Sequence, residues 1–173
     1  MPSHALLRIV LSTGIGLSIL PDAVAQDLGA WRALTAEEEK ARIGDTPQKD
    51  ADPSTIEADF DGDKAKDKAL IAVRATDGAR GLVVSLKSGL HVLVLSGENR
   101  DGTDADKSPL LEAGIRVAKP GPWRANCFED CVAHPPRTFA LRNPGIFFYD
   151  DGSTMLYWWD AKKKRFTSAL MVH

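Results

Sequence analysis

From Ile56 onward the chain alternates short apolar runs with polar turns that carry glycine. Runs over 69–76, 81–86, 90–95, 115–119, 137–141, 146–149, 154–159 and 165–172 have the length and the β-branched and aromatic content of strands; a helix needs about ten residues or more at a 3.6-residue period. The turns Asp77-Gly78, Lys87-Ser88-Gly89, Asn143-Pro144-Gly145 and Asp151-Gly152 separate several of these runs, and glycine there accepts the positive φ that tight hairpins demand. This pattern predicts a mainly β domain, an antiparallel sheet or sandwich, with an α+β arrangement as the alternative. Two longer interruptions, 96–109 and 120–136, read as loops carried on the sheet.

Upstream the pattern changes. Thr35-Ala36-Glu37-Glu38 has the form of a capping box, and Gly44 is placed to stop a helix near Ile43, so a short N-terminal helix is expected, peripheral to the sheet. Residues 45–55 hold Pro47 and Pro53 and show no apolar periodicity; they read as a linker, and the folded core is expected to begin near Ile56.

The extreme N-terminus is different again. Arg8 precedes an apolar stretch over 9–20, and Ala23-Val24-Ala25 follows as a small-x-small site, the signature of a secretory signal peptide cut before Gln26. The stretch is too short to cross roughly 30 Å of hydrocarbon as a helix, and no cysteine follows it to accept a lipid. The expected organisation is a signal peptide over 1–25, a short helix and linker over 26–55, and a single β-rich domain over 56–173, placed in the periplasm or secreted. The formal charge is −2 with both signs mixed along the chain, which argues against nucleic acid or an anionic membrane as a partner. Cys127 and Cys131, in an exported chain, are expected to form a disulfide; a zinc site would need more ligands than these two and His134 supply, and a redox dithiol more often spaces its cysteines by two residues.

The densest chemistry lies in Asp59-Phe60-Asp61-Gly62-Asp63-Lys64-Ala65-Lys66-Asp67, which runs directly into an apolar strand. Calcium takes six to eight hard oxygens, and a tight loop presents carboxylates from alternate positions with a backbone carbonyl among them. Asp59, Asp61, Asp63 and Asp67 are the candidate side-chain ligands, and Ala65 the candidate carbonyl. The stretch resembles the calcium loops of FG-GAP type, in which Asp-x-Asp/Asn-x-Asp-Gly-x-x-Asp leads into a strand. The resemblance covers these nine positions and the following strand, and it implies Ca2+ held by Asp59, Asp61, Asp63, Asp67 and the Ala65 carbonyl. It departs at the sixth place, where the pattern has glycine because the backbone turns through positive φ and this chain has Lys64. A lysine there costs roughly 1 kcal/mol more than glycine, and with Lys66 and Lys68 it opposes a cation. A metal-free loop neutralised by those lysines therefore stands as the alternative, and a filled site is expected to be structural.

No HExxH, no GxSxG and no glycine-rich phosphate loop occurs. His91 lies in an apolar strand and reads as a sheet residue, and His173 ends the chain. Trp158 and Trp159 are adjacent on a strand and must face opposite ways; with Trp123 they form a candidate partner surface, with cross-strand packing on Phe166 as the structural alternative. The plan resembles that of small periplasmic proteins of Gram-negative bacteria, some of which inhibit lysozyme-like hydrolases or confer immunity to exported toxins. The reading is a non-enzymatic binding protein of that kind, with a periplasmic protein as partner. Its alternatives are a hydrolase of glycan or peptide using Glu98, Asp101, Asp104 or Glu129, and a structural component of the envelope.

Overall fold

The computed structural model describes residues 28–47, 50–96, 113–126, 138–150 and 153–171. In chain order they form β1 (Trp31–Ala33), α1 (Ala36–Ile43), β2 (Thr55–Ala58), β3 (Asp67–Arg74), β4 (Arg80–Leu86), β5 (Gly89–Leu95), β6 (Gly114–Ala118), β7 (Gly121–Arg124), β8 (Thr138–Leu141), β9 (Gly145–Asp150), β10 (Ser153–Asp160) and β11 (Arg165–Met171). The protein is mainly β, with antiparallel pairing in each of its sheets. The expected signal segment, 1–25, lies outside the described residues. Among those described, no helix is long and apolar enough to cross a membrane.

The first sheet runs β1-β3-β4-β5, and β2 shares with β1 the outer edge of β3: Trp31 to Ala33 pair with Arg74 to Ala72, and Thr55 to Ala58 with Leu70 to Asp67. The second sheet runs β11-β10-β9-β6, and β7 and β8 form a separate hairpin. Ala69 and Ile71 of β3 and Leu82, Val84 and Leu86 of β4 pack in one cluster with Ile115, Ile146, Phe148 and Tyr157 of the second sheet, so the main core lies between the two sheets. The opposite face of β3 and β4 buries Leu70, Ala72 and Val83 against Trp31. Because both faces of these strands are covered, they read as continuous apolar runs.

The second sheet is also covered on its far side. Leu156, Ala169 and Met171 cluster there with Ala125 and Leu141, and Trp123, Phe139, Phe147 and Trp158 close over them. The β7–β8 hairpin is therefore a third layer, set within the stretch expected to be a loop.

Helix α1 keeps the expected limits for the expected reasons. The Thr35 hydroxyl accepts from the Glu38 N–H at 3.2 Å, the Glu38 carboxylate accepts from the Thr35 N–H at 2.8 Å, and Gly44 closes the last turn at φ 55°. The core, however, does not wait for Ile56. Trp31 is buried on β4 beside Gly81, where a Cβ would lie 3.0 Å from its ring. Arg42, 4% exposed, donates to the carbonyls of Asp52 and Ala113 at 2.7 Å each and to Glu39. Segment 28–55 is thus integral to the fold, because short pieces too small to show periodicity are fixed by β3 and by a buried guanidinium. Pro53 and Ser54 stitch the sheets together, their carbonyls accepting from Ile115 of β6 at 3.0 Å and Ile71 of β3 at 2.8 Å.

Candidate metal site

Strands β2 and β3 are antiparallel neighbours, and the chain between them must reverse through Asp59 to Lys66. Short acidic side chains bond their own backbone and hold that reversal. Asp59 accepts from the N–H groups of Gly62 at 2.7 Å and Lys64 at 3.0 Å, one with each oxygen. Asp61 accepts from Asp63 N–H at 3.0 Å, and Asp63 from Ala65 N–H at 2.7 Å. Gly62 at φ 84° and Lys64 at φ 71° take the left-handed conformations the turn needs. The sixth place therefore keeps the geometry that the calcium-loop pattern assigns to glycine, although a lysine occupies it.

Asp67 opens β3 and is 1% exposed. Its Oδ2 accepts from the Phe60 N–H at 2.8 Å and, more weakly, from the Asp61 N–H at 3.4 Å. Its Oδ1 is buried and has no hydrogen-bond partner. A buried carboxylate oxygen without a donor costs about 1–3 kcal/mol or more, so it marks a place where something positive fits. Asp59 and Asp61 supply the rest: one carboxylate oxygen from each of Asp59, Asp61 and Asp67 lies within 4.8 Å of the others. Oxygens around a single ion at roughly 2.4 Å are separated by no more than about that distance. The triad can hold a metal ion.

The electrostatics agree with the geometry. Burial pushes the Asp67 carboxyl up to about 6; the Phe60 N–H opposes that rise, and the charges of Asp61 and Asp63 add to it. The lysines do not neutralise the cluster by contact. Lys66 reaches toward Glu57 at 3.8 Å with its side chain 81% exposed, and among the described residues no lysine pairs with Asp59, Asp61, Asp63 or Asp67.

Of the five loop residues singled out in the sequence, Asp59, Asp61 and Asp67 come together. Asp63 is exposed and stands outside the triad, and the N–H of Ala65 is bound to Asp63. Sequence reasoning missed Phe60 and Asn143. Phe60 is fully buried in the inter-sheet core, and an aromatic residue between two aspartates was the signal for it. Asn143 backs onto Gly62, where a Cβ would meet its Nδ2 at 2.5 Å; nothing in the local sequence announces that contact.

The other candidates are spread through the fold. His91 is half-buried and lies edge-on to Trp159 at 5.2 Å and to Phe166 at 5.7 Å. Burial lowers its pKa, against the charge of Asp61. Trp159 meets Phe166 across β10 and β11 at 5.3 Å on the inter-sheet face, while Trp158 stacks on Phe139 at 4.4 Å on the opposite face. Trp123 sits edge-on to Phe147 at 5.1 Å and donates its indole N–H to the Lys119 carbonyl at 3.1 Å. All three tryptophans are half-buried, and they are divided between two layers. Cys127, Cys131, His134, His173, Glu98, Asp101, Asp104 and Glu129 lie outside the described residues. Comparison with family models, with curated proteins and with solved structures finds no match to this chain.

Proposed function

We propose that the protein is an exported, non-enzymatic binding domain whose β2–β3 loop takes up one calcium ion as a structural element. The observation that carries the metal reading is the buried, unpartnered Oδ1 of Asp67, facing Asp59 and Asp61. Calcium suits it better than the smaller cations. The donors are carboxylate oxygens on a short loop, and magnesium demands a near-ideal octahedron and keeps its waters, while zinc favours nitrogen and sulfur. Export supports the same choice: extracellular calcium modules work with dissociation constants of about 10⁻⁴–10⁻³ M, so the site tolerates the penalty of Lys64.

The signal-like N-terminus supports placement in the periplasm or outside the cell. The similarity of plan to small periplasmic inhibitors and immunity proteins supports a cell-wall hydrolase as the partner class. Calorimetric titration of the purified protein with calcium, magnesium and zinc tests the metal, with Asp67→Asn as the control. Calcium binding in the micromolar to millimolar range, abolished in the variant, is expected; an unchanged isotherm in the variant removes the site. Inhibition of purified cell-wall hydrolases, assayed on peptidoglycan with calcium present, tests the partner, and no inhibition of any class removes that half.

A further inference from the structure

The cation loop belongs to the first sheet by connectivity, yet its contacts lead into the second. Phe60, fully buried, is packed in the cluster that also holds Ile115, Ile146 and Phe148 of β6 and β9. Its N–H is held at 2.8 Å by Oδ2 of Asp67, the same carboxylate whose Oδ1 faces Asp59 and Asp61. One rigid group thus carries both the core anchor and the ion-facing oxygen. On the loop's other side Gly62 lies against Asn143, in the turn between β8 and β9, too closely for any side chain at that position.

We infer, resting on the cation reading above, that ion binding at this loop is coupled to closure of the two sheets on each other, so that the ion latches the inter-sheet core as well as its own loop. Three carboxylates within 4.8 Å repel when no cation lies between them. They relax by splaying, and the loop cannot splay freely. Moving Asp67 away from Asp61 pulls on the Phe60 N–H, and moving Asp59 or Asp61 outward lifts Gly62 from Asn143. Either movement loosens contacts made to the second sheet. The cation removes the repulsion and so favours the closed arrangement.

Hydrogen exchange by mass spectrometry, in calcium and in chelator, tests the coupling on the full purified protein. Calcium at about 100 times its dissociation constant suppresses about 100-fold any opening that must release the ion. Amides of β6, β9 and β10 are expected to slow toward that factor, in step with β3. Calcium that binds by calorimetry yet slows exchange only in residues 59–67 overturns the latch and leaves the cation reading standing. Absence of any calcium heat overturns both. Phe60→Leu keeps an apolar residue in the core but shortens its reach, and it is expected to reduce the protection passed to β9 and β10 more than that of the loop. Undiminished transmission in this variant overturns the role given to Phe60.

Discussion

Asp67 carries an unusual combination: it fixes the loop backbone with one oxygen and strands the other away from water. Its folded pKa, about 6, lies above the ordinary aspartate value near 3.9. The sign follows: in cation-free buffer the contribution of this group to stability is greatest below pH ~4 and is lost as pH rises through about 6. Asp67→Asn keeps the shape and removes the charge. Above pH 7 in chelator the variant is expected to be as stable as the parent or more so, and its thermal midpoint should not rise when calcium is added. A variant that is weaker in chelator yet still gains from calcium would overturn this account. Lys64 gives a complementary change. At φ 71° it holds a conformation that costs a lysine about 1 kcal/mol relative to glycine, partly offset by glycine's greater freedom in the unfolded chain. Lys64→Gly also removes a positive charge, so calcium titration should show tighter binding, with stability in chelator equal or slightly higher. Weaker binding would mean that the lysine assists the site.

At the scale of elements, α1 shows how far local chemistry reaches. Thr35, Glu38 and Gly44 specify both ends, and Arg32 of β1 adds a two-bond clamp to Glu38 at 2.7 and 2.9 Å. Arg32 first, and then the Thr35 N–H, draw the Glu38 carboxyl down to about 2. The sign is opposite to that of Asp67: the contribution is present above pH ~4.3 and is lost as pH falls toward about 2. An NMR titration should place the Glu38 midpoint near that value, and Thr35→Ala, which removes one cap bond, should cost about 1 kcal/mol. A Glu38 midpoint in the ordinary range would show the clamp to be absent in solution. This helix was legible because its signals are contiguous. Strands β4, β5, β10 and β11 were legible for the same reason, being runs of seven or eight residues bounded by turns. By contrast β1, β2 and β7 have three or four residues each; they exist because a partner strand is already there, and no residue within them says so. The aspartate loop was half legible: its acidic positions stand in the sequence, whereas the turning of Asp63 to Ala65, the depth of Phe60 and the contact with Asn143 are products of the fold.

For the whole molecule, the adjacent tryptophans of β10 reveal the layering. Alternation sends them to opposite faces, and both faces are covered: Trp159 faces the first sheet beside His91 and Phe166, and Trp158 lies beneath the β7–β8 hairpin on Phe139. The layers differ in how they are tied. The two sheets share a large core and the Pro53–Ser54 stitch. The hairpin pairs its strands only with each other, and besides aromatic packing it is joined to the second sheet by the indole bond of Trp123 to Lys119 and by the adjacent Asn126 N–H on the Leu170 carbonyl at 2.9 Å. Replacing a buried tryptophan by alanine costs about 3–5 kcal/mol, and half-burial of Trp158 puts Trp158→Ala toward the lower end. Because the lost contact is made to the hairpin, the loss should be local: amides of β7 and β8 should exchange faster while β3 and β4 keep their protection, and calcium should not restore the hairpin, since its ion sits two layers away. Trp159→Ala removes a contact within the inter-sheet core and should lower protection in both sheets together. If Trp158→Ala instead lowers protection uniformly, the three layers unfold as one unit, and the hairpin is part of the same cooperative core.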